Sequence, residues 1–588
     1  MRWRRWVWPV VGLVGVLIFL LLSRVADPEA QVDLNTTRNQ SLALSRQWLV
    51  EQGFDLTGYE GAVSFESDEN ALLYLQRNYA LAESNQLARD YKVWHWSVRW
   101  FKPGEQIEYK VTVDTAQPQV LGFSRTYPES TAGASLNEED ALAAAQRFLE
   151  QNGYPLSNWE LVGSRAKQQS ARTDYHFEWQ QKGVSLKGAF PKVDVDLQGS
   201  QLSGLHHYLL VPAQFQRTYQ ETASVGTALA LISSTLMIGL WILAAIWSIL
   251  LARRAAWGLG LWGALLLVVV SLAGALNELT QLKSRMPTFL PPAVSYVFGL
   301  FVALLAALLY VAGVLFPAAA GQGLLRQMDR DGAPYFSRIR QGSLLSAGFG
   351  RSSLRGLAVA GVMLGYDTLF YFVGRQYFGV WTPAAPSYSD ILATPAPWLY
   401  PLTIGITAAF TEEYTFRLFG TAIAKRWLKW TPVALVLPAA IWAFAHSNYP
   451  VFPVWTRGIE LTLMGTFLGW VFWRYDIETT VVAHYTYDAL LVGWPLLLSG
   501  NTYYVASGAL VIGLALLPAL SGWVAVRRTR KVEAPAENAA LISPSPAPEA
   551  PAVNRAEQAL PAFSPQRPEI GGAFLNRLLG GIRAHPVP

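Results

Sequence analysis

The sequence predicts a polytopic α-helical membrane protein with about ten transmembrane helices and an inserted α+β domain outside the cytoplasm. Three observations predict it. Apolar runs of about 20 residues, long enough to cross a bilayer, recur along the 588-residue chain, which is 52% hydrophobic. Basic clusters fall in alternate connections between those runs. A stretch of soluble character, residues 25–220, separates the first run from the second and repeats itself internally.

Taken in order, the spans are expected near 6–23, 225–251, 257–276, 292–316, 355–375, 397–420, 431–447, 458–474, 478–498 and 502–525. Lys and Arg cluster at Arg2/Arg4/Arg5, Arg253/Arg254, Arg326 to Arg355, Lys425/Arg426/Lys429, Arg474 and Arg527 to Lys531. The connections 376–396 and 499–501 are nearly free of them. By the positive-inside rule both termini are expected in the cytoplasm and residues 25–220 outside it. The net charge of +5 is then a matter of topology and gives no reason to expect nucleic-acid binding. The first run has the basic n-region of a signal peptide, but Ser23-Arg24-Val25-Ala26-Asp27-Pro28 offers no clean small-x-small site, so residues 1–24 read as an uncleaved anchor. Cysteine is absent, which excludes disulfides, thiolate metal sites and cysteine nucleophiles.

Within 25–220, Trp48-Leu49-x-x-x-Gly53-Phe54-x-Leu56-x-x-Tyr59-Glu60 mirrors Phe148-Leu149-x-x-x-Gly153-Tyr154-x-Leu156-x-x-Trp159-Glu160. Each follows a helix-periodic stretch that the glycine ends. Alternating strands come next, VWHWSVRW and YKVTVD in the first copy, DYHFEWQ and KVDVDL in the second. Val111-x-Val113-Asp114 with Gly122 parallels Val193-x-Val195-Asp196 with Gly204. One helix on a small antiparallel sheet is expected per copy, an arrangement that resembles the PepSY domain. His95, His176, His206 and His207 show no metal-ligand spacing, and the Trp-rich strand reads as core, so a binding or regulatory role is the default. Residues 526–588 read as a disordered Pro/Ala-rich tail, in which GGAFLNRLLGGIRAH has the pattern of a short amphipathic helix.

Residues 221–354 supply further spans and a basic loop, and the chemistry lies in 355–525. Glu412 and Glu413 sit mid-span in WLYPLTIGITAAFTEEYTFRLF, followed by Arg417. An ionisable side chain at that depth costs a few kcal/mol or more, so such groups face a protein interior or a wet cavity. On a helix Glu413 and Arg417 share a face, while Glu412 is turned by about 100° toward another partner. His446 closes the span VALVLPAAIWAFAH, four residues after Trp442, and His484 and Asp488 are again i and i+4. If these helices bundle, Glu412, His446, His484 and Asp488 line one polar pocket that can activate water and stabilise an oxyanion. The bland alternative for Glu413 and Arg417 is a structural ion pair, and for His446 a satisfied interior histidine.

The series Glu412-Glu413-x-x-x-Arg417, Trp442-x-x-x-His446, His484-x-x-x-Asp488, with Gly465-x-x-x-Gly469-Trp470 between, resembles the motifs of the CPBP intramembrane proteases, the family of CAAX prenyl endopeptidases and the bacterial Abi group. The resemblance implies hydrolysis of a peptide bond in a membrane-associated protein or peptide, within the lipid bilayer of a bacterial cytoplasmic membrane. It implies that Glu412 with His446 activates water, that His484 and Asp488 stabilise the tetrahedral intermediate, and that Glu413 with Arg417 holds the site together. Metalloprotease chemistry on Zn2+ held by Glu412, His446 and His484 stays open beside a metal-free glutamate mechanism, toward which the reading leans. Two positions depart from the family: Trp442 replaces the usual Phe, an exchange expected to affect packing and not chemistry, and Asp488 stands where Asn is frequent. The alternative from another class is a non-catalytic receptor or scaffold of the same fold; a transporter would call for inverted repeats, which are not apparent. The repeat domain, tethered by spans on both sides, is placed to gate the bundle or recruit substrate.

Overall fold

A computed structural model of the chain describes residues 6–26, 32–251, 257–328, 346–383 and 391–527. The tail expected at 526–588, with its amphipathic segment, lies outside them from residue 528, as do Arg2/Arg4/Arg5, Arg253/Arg254 and most of the basic loop before Ser346.

The chain is a polytopic helical membrane protein with an inserted α+β domain. Among the described residues seven helices are long and apolar enough to cross a membrane. They include α1 (Val7–Ala26), α6 (Ala213–Leu250), α7 (Trp257–Arg285), α8 (Pro292–Gln327), α9 (Ala347–Phe378) and α14 (Ile477–Leu498); the seventh begins with α15 (Thr502–Ala515). Three other expected spans are helical but shorter or more polar: α10 (Leu399–Glu412) with α11 (Thr421–Leu428), α12 (Thr431–Phe444) and α13 (Thr456–Arg474). α12 is apolar and simply shorter, whereas α13 carries Arg457, Glu460 and Arg474, which lower its hydropathy. α1 lies along α9 through facing glycines: a Cβ on Gly15 would come within 2.1 Å of the Gly361 oxygen, so only small residues let these backbones meet.

The inserted domain contains α2 (Arg38–Glu51), α3 (Glu69–Asn78), α4 (Leu81–Asp90), α5 (Glu138–Gln151) and one eight-stranded antiparallel sheet. Its strands are β1 (Glu60–Ser67), β2 (Trp94–Phe101), β3 (Glu108–Asp114), β4 (Val120–Thr126), β5 (Trp159–Gln168), β6 (Thr173–Gln181), β7 (Phe190–Gln198) and β8 (Gln201–Leu210). The order β1-β2-β3-β4-β8-β7-β6-β5 joins the two copies edge to edge, with Phe123 opposite Leu205 at the seam. The expectation of one helix on a separate small sheet per copy is corrected in two ways. The sheet is shared, which hides one edge of each half, and the first copy inserts α3 and α4 between β1 and β2. Trp94, Trp96 and Trp100 lie in the core of the first half, and Phe177 and Trp179 in that of the second.

The domain is bolted to the helices. The Arg99 guanidinium donates to the Met286 carbonyl at 2.6 Å, Lys283 pairs with Glu60 at 2.7 Å, and Thr288 donates to Glu108 at 2.9 Å. Ile391, Leu392, Leu496 and Tyr504 join its hydrophobic core.

Folding brings to one of its histidines carboxylate neighbours that sequence spacing does not reveal. Strand pairing sets His176 opposite Asp196 and Glu178 opposite Asp194, and the His176 Nδ1 lies 2.7 Å from Asp196. His207 sits against the rings of Tyr154 and Trp159, where burial pushes its imidazole down to about 4. In the unfolded chain it titrates near 6.5, so the unfolded state takes the proton first as pH falls. Its contribution is present above about 6.5 and lost on acidification through about 4, by roughly 1–3 kcal/mol. Melting of the full chain in detergent at pH 7 and 4.5 should show His207→Phe losing less stability on acidification than wild type; equal losses would contradict this.

Candidate active site

α10 does not continue as an α-helix past Glu412. Residues Glu413–Gly420 form a π-helical stretch, in which the Thr421 N–H reaches back to the Phe416 carbonyl, before α11 resumes. Such wide turns are rare and concentrate at functional sites, because they re-aim side chains and leave backbone groups loosely held. Here the wide turn begins at the first buried charge.

The structure brings all six expected residues together. Glu413 and Arg417 lie innermost, at 0% and 1% exposure, whereas Glu412, His446 and Asp488 each keep about a fifth of theirs. The second group is therefore the accessible one, and the first is sealed inside the protein. The Glu413 Oε1 lies 3.0 Å from Arg417 Nη1 and accepts from His484 Nδ1–H at 2.8 Å. That bond fixes the His484 ring with Nε2 directed at Asp488 Oδ2 (3.4 Å) and Glu412 Oε2 (3.7 Å). Among the described residues Arg417 finds no aligned hydrogen-bond partner for its guanidinium nitrogens; it is held by the Glu413 charge and by the indole face of Trp442, 4.2 Å from the ring centroid.

His446, just past α12, donates its Nδ1–H to the Trp442 carbonyl at 2.9 Å. A carbonyl only accepts, so the neutral ring carries its free lone pair on Nε2. That nitrogen faces Glu412 Oε1 at 3.8 Å. Tyr449 stacks on the far side of the ring, with centroids 5.7 Å apart. Trp442 corrects the expectation that its exchange for Phe touches packing alone: its indole N–H donates to Glu412 Oε2, a bond Phe cannot make.

A cleft of about 420 Å³ between α7, α8 and α10 leads to Glu412. Its α10 wall is a ladder, Thr403, Thr407 and Thr411, whose hydroxyls bond back to the carbonyls four residues earlier. This satisfies each donor inside the helix and lets polar side chains line a path through an apolar region. Glu278 lines the same cleft from α7.

Sequence reasoning also missed a second buried cluster. Arg457 Nη1 lies 2.7 Å from Glu460 Oε2, 3.5 Å from Asp367 Oδ1 and 3.4 Å from the Tyr371 hydroxyl. The signal was present, since Arg457 and Glu460 open an expected span, but their partner Asp367 stands in a distant one.

Zinc would ask more of these donors than their positions give. Four ligand atoms around Zn2+ must close to roughly 3.3 Å of one another. Glu412, His446 and His484 do not bring one atom each within 4.8 Å of one another; among the described residues only His176, Glu178 and Asp194 do. Those three lie in the inserted domain, where Glu178 is already paired with Lys192. The membrane site as it stands does not fit the metal.

Comparison with known proteins agrees with the geometry. Residues 394–490, which contain all six site residues and Trp442, match the family model described as type II CAAX prenyl endopeptidase Rce1-like. The chain is also similar to the sporulation-killing factor biosynthesis protein SkfC of Bacillus subtilis (strain 168), 20% identical over 512 residues, 83% of this chain and 95% of that protein. No solved structure matches. The Rce1-like match thus falls on the segment 394–490 that carries the buried charges, set within a larger membrane protein.

Proposed function

We propose that the chain is an intramembrane endopeptidase that cleaves a membrane-associated polypeptide with a water molecule activated by Glu412 and His446. The observation that carries this reading is the gap between Glu412 Oε1 and His446 Nε2. Both atoms are acceptors, they lie 3.8 Å apart, and neither bonds the other. One water donating a proton to each fills that gap and turns its lone pair outward, toward a carbonyl presented through the cleft. Glu412 takes a proton as the water oxygen bonds the carbonyl carbon, then passes it to the leaving nitrogen as the C–N bond breaks. In its doubly protonated form His484 offers Nε2–H to the oxyanion, with Asp488 beside it and Glu413 holding the ring from behind.

In this reading residues 355–525 are the protease core. The chain sits in a bacterial cytoplasmic membrane with both termini inside and the α+β domain, residues 25–220, outside. Similarity to a protein named for biosynthesis favours maturation of a precursor over general degradation.

The test uses the purified full chain in lipid vesicles with a membrane-tethered peptide. One new amino terminus is expected, formed at a rate unchanged by EDTA or 1,10-phenanthroline. Loss of cleavage on chelation, restored by zinc, would overturn the glutamate mechanism; no cleavage under any condition would overturn the endopeptidase reading.

A further inference from the structure

We infer that Trp442 is a positioning residue for the water-activating pair, holding Glu412 through its indole N–H and His446 through its backbone carbonyl. The inference rests on the endopeptidase reading and adds to it a residue whose side-chain chemistry the sequence had assigned to packing.

A glutamate side chain has three rotatable bonds, and the Glu412 carboxylate has two histidines to choose between, at 3.8 and 3.7 Å. Left free, it is shared between them. The Trp442 N–H engages Oε2, the oxygen on the His484 side, and so leaves Oε1 turned to His446. The same residue accepts the His446 Nδ1–H at 2.9 Å, which sets the tautomer with the Nε2 lone pair facing Oε1. One residue thus fixes base and partner relative to each other.

The indole is itself immobilised. It is 3% exposed and carries the Arg417 guanidinium on its face. Its edge fits over Gly465 of α13, where an added Cβ would lie 2.8 Å from Cε3 and 3.0 Å from Cζ3. That close approach gives a physical reason for glycine in the Gly465-x-x-x-Gly469 pattern. A phenylalanine at 442 retains an aromatic face for Arg417 and the backbone carbonyl for His446, and lacks only the donor.

The experiment has two arms. In vesicles, Trp442→Phe should lower kcat per folded molecule by about ten- to a hundredfold, the scale of misplacing a reacting group by about 1 Å, while KM stays within about twofold. In protein labelled with 15N at the indole nitrogens, the resonance that disappears in Trp442→Phe should move upfield in Glu412→Ala, as its carboxylate acceptor is removed. A kcat within twofold of wild type, or an indole resonance indifferent to Glu412, would overturn the inference. Should the phenylalanine variant not accumulate, Gly465→Ala presses on the indole edge without touching Glu412 and is held to the same kcat and KM outcomes. Wild-type protein that cleaves nothing would instead overturn the endopeptidase reading, while the resonance arm still reports the Trp442–Glu412 bond.

Discussion

Glu412→Gln is expected to reduce peptide cleavage by about 10²–10⁴-fold, the usual contribution of a positioned general base. The same change should leave the melting temperature of the detergent-solubilised chain within a few degrees of wild type. Stability is spared because the Glu412 contacts to His446 and His484 are long, 3.8 and 3.7 Å, and the side chain keeps about a fifth of its exposure. A glutamine oxygen still accepts the Trp442 N–H. What disappears is the charge that takes the proton from water. Glu412→Asp retains the charge but withdraws it by one methylene from a histidine already 3.8 Å away, so its rate should fall between the two. Side-by-side rates and melting curves of the three proteins check this. An inactive but equally stable Gln variant supports catalysis. A variant that loses activity only in proportion to folded protein would make Glu412 a structural group.

Arg417→Met is expected to do the reverse, destabilising the chain before it touches chemistry. The Glu413 carboxylate is fully buried, and Arg417 is its principal positive partner apart from His484. Breaking a buried pair by removing one member typically costs about 3–5 kcal/mol, because the remaining charge stays in a medium that does not solvate it. Abundance and melting temperature should both drop sharply. Adding Glu413→Gln to Arg417→Met removes the stranded charge and should recover most of the stability, since apolar replacement of both partners is often near neutral. A single variant as stable as wild type would mean that Glu413 is neutral or otherwise compensated.

The site was legible in outline because membrane sequences punish idle charges. Glu412, Glu413 and Arg417 stood out against an apolar span, and the i, i+4 spacings of Glu413–Arg417 and His484–Asp488 survive as contacts. The span 397–420 was legible as helix but not as a helix interrupted by a π-turn, which depends on backbone hydrogen bonding that no side-chain period reveals. Trp442 was misread because its role lies in one N–H meeting a carboxylate thirty positions away. In the inserted domain β2, β3, β6 and β7 alternate clearly and were found. β5 is an exposed, polar edge strand without a buried face to impose alternation, and it was missed. Fusion into one sheet rests on the β4–β8 pairing, a tertiary fact.

The most direct test compares all peptide termini in native membranes containing the wild-type chain with those containing Glu412→Gln at equal abundance. Termini present only with wild type are expected under the endopeptidase reading, each mapping to a membrane-associated protein. Identical termini in both, with the native membrane proteome present, would contradict it and leave a non-catalytic scaffold of the same fold.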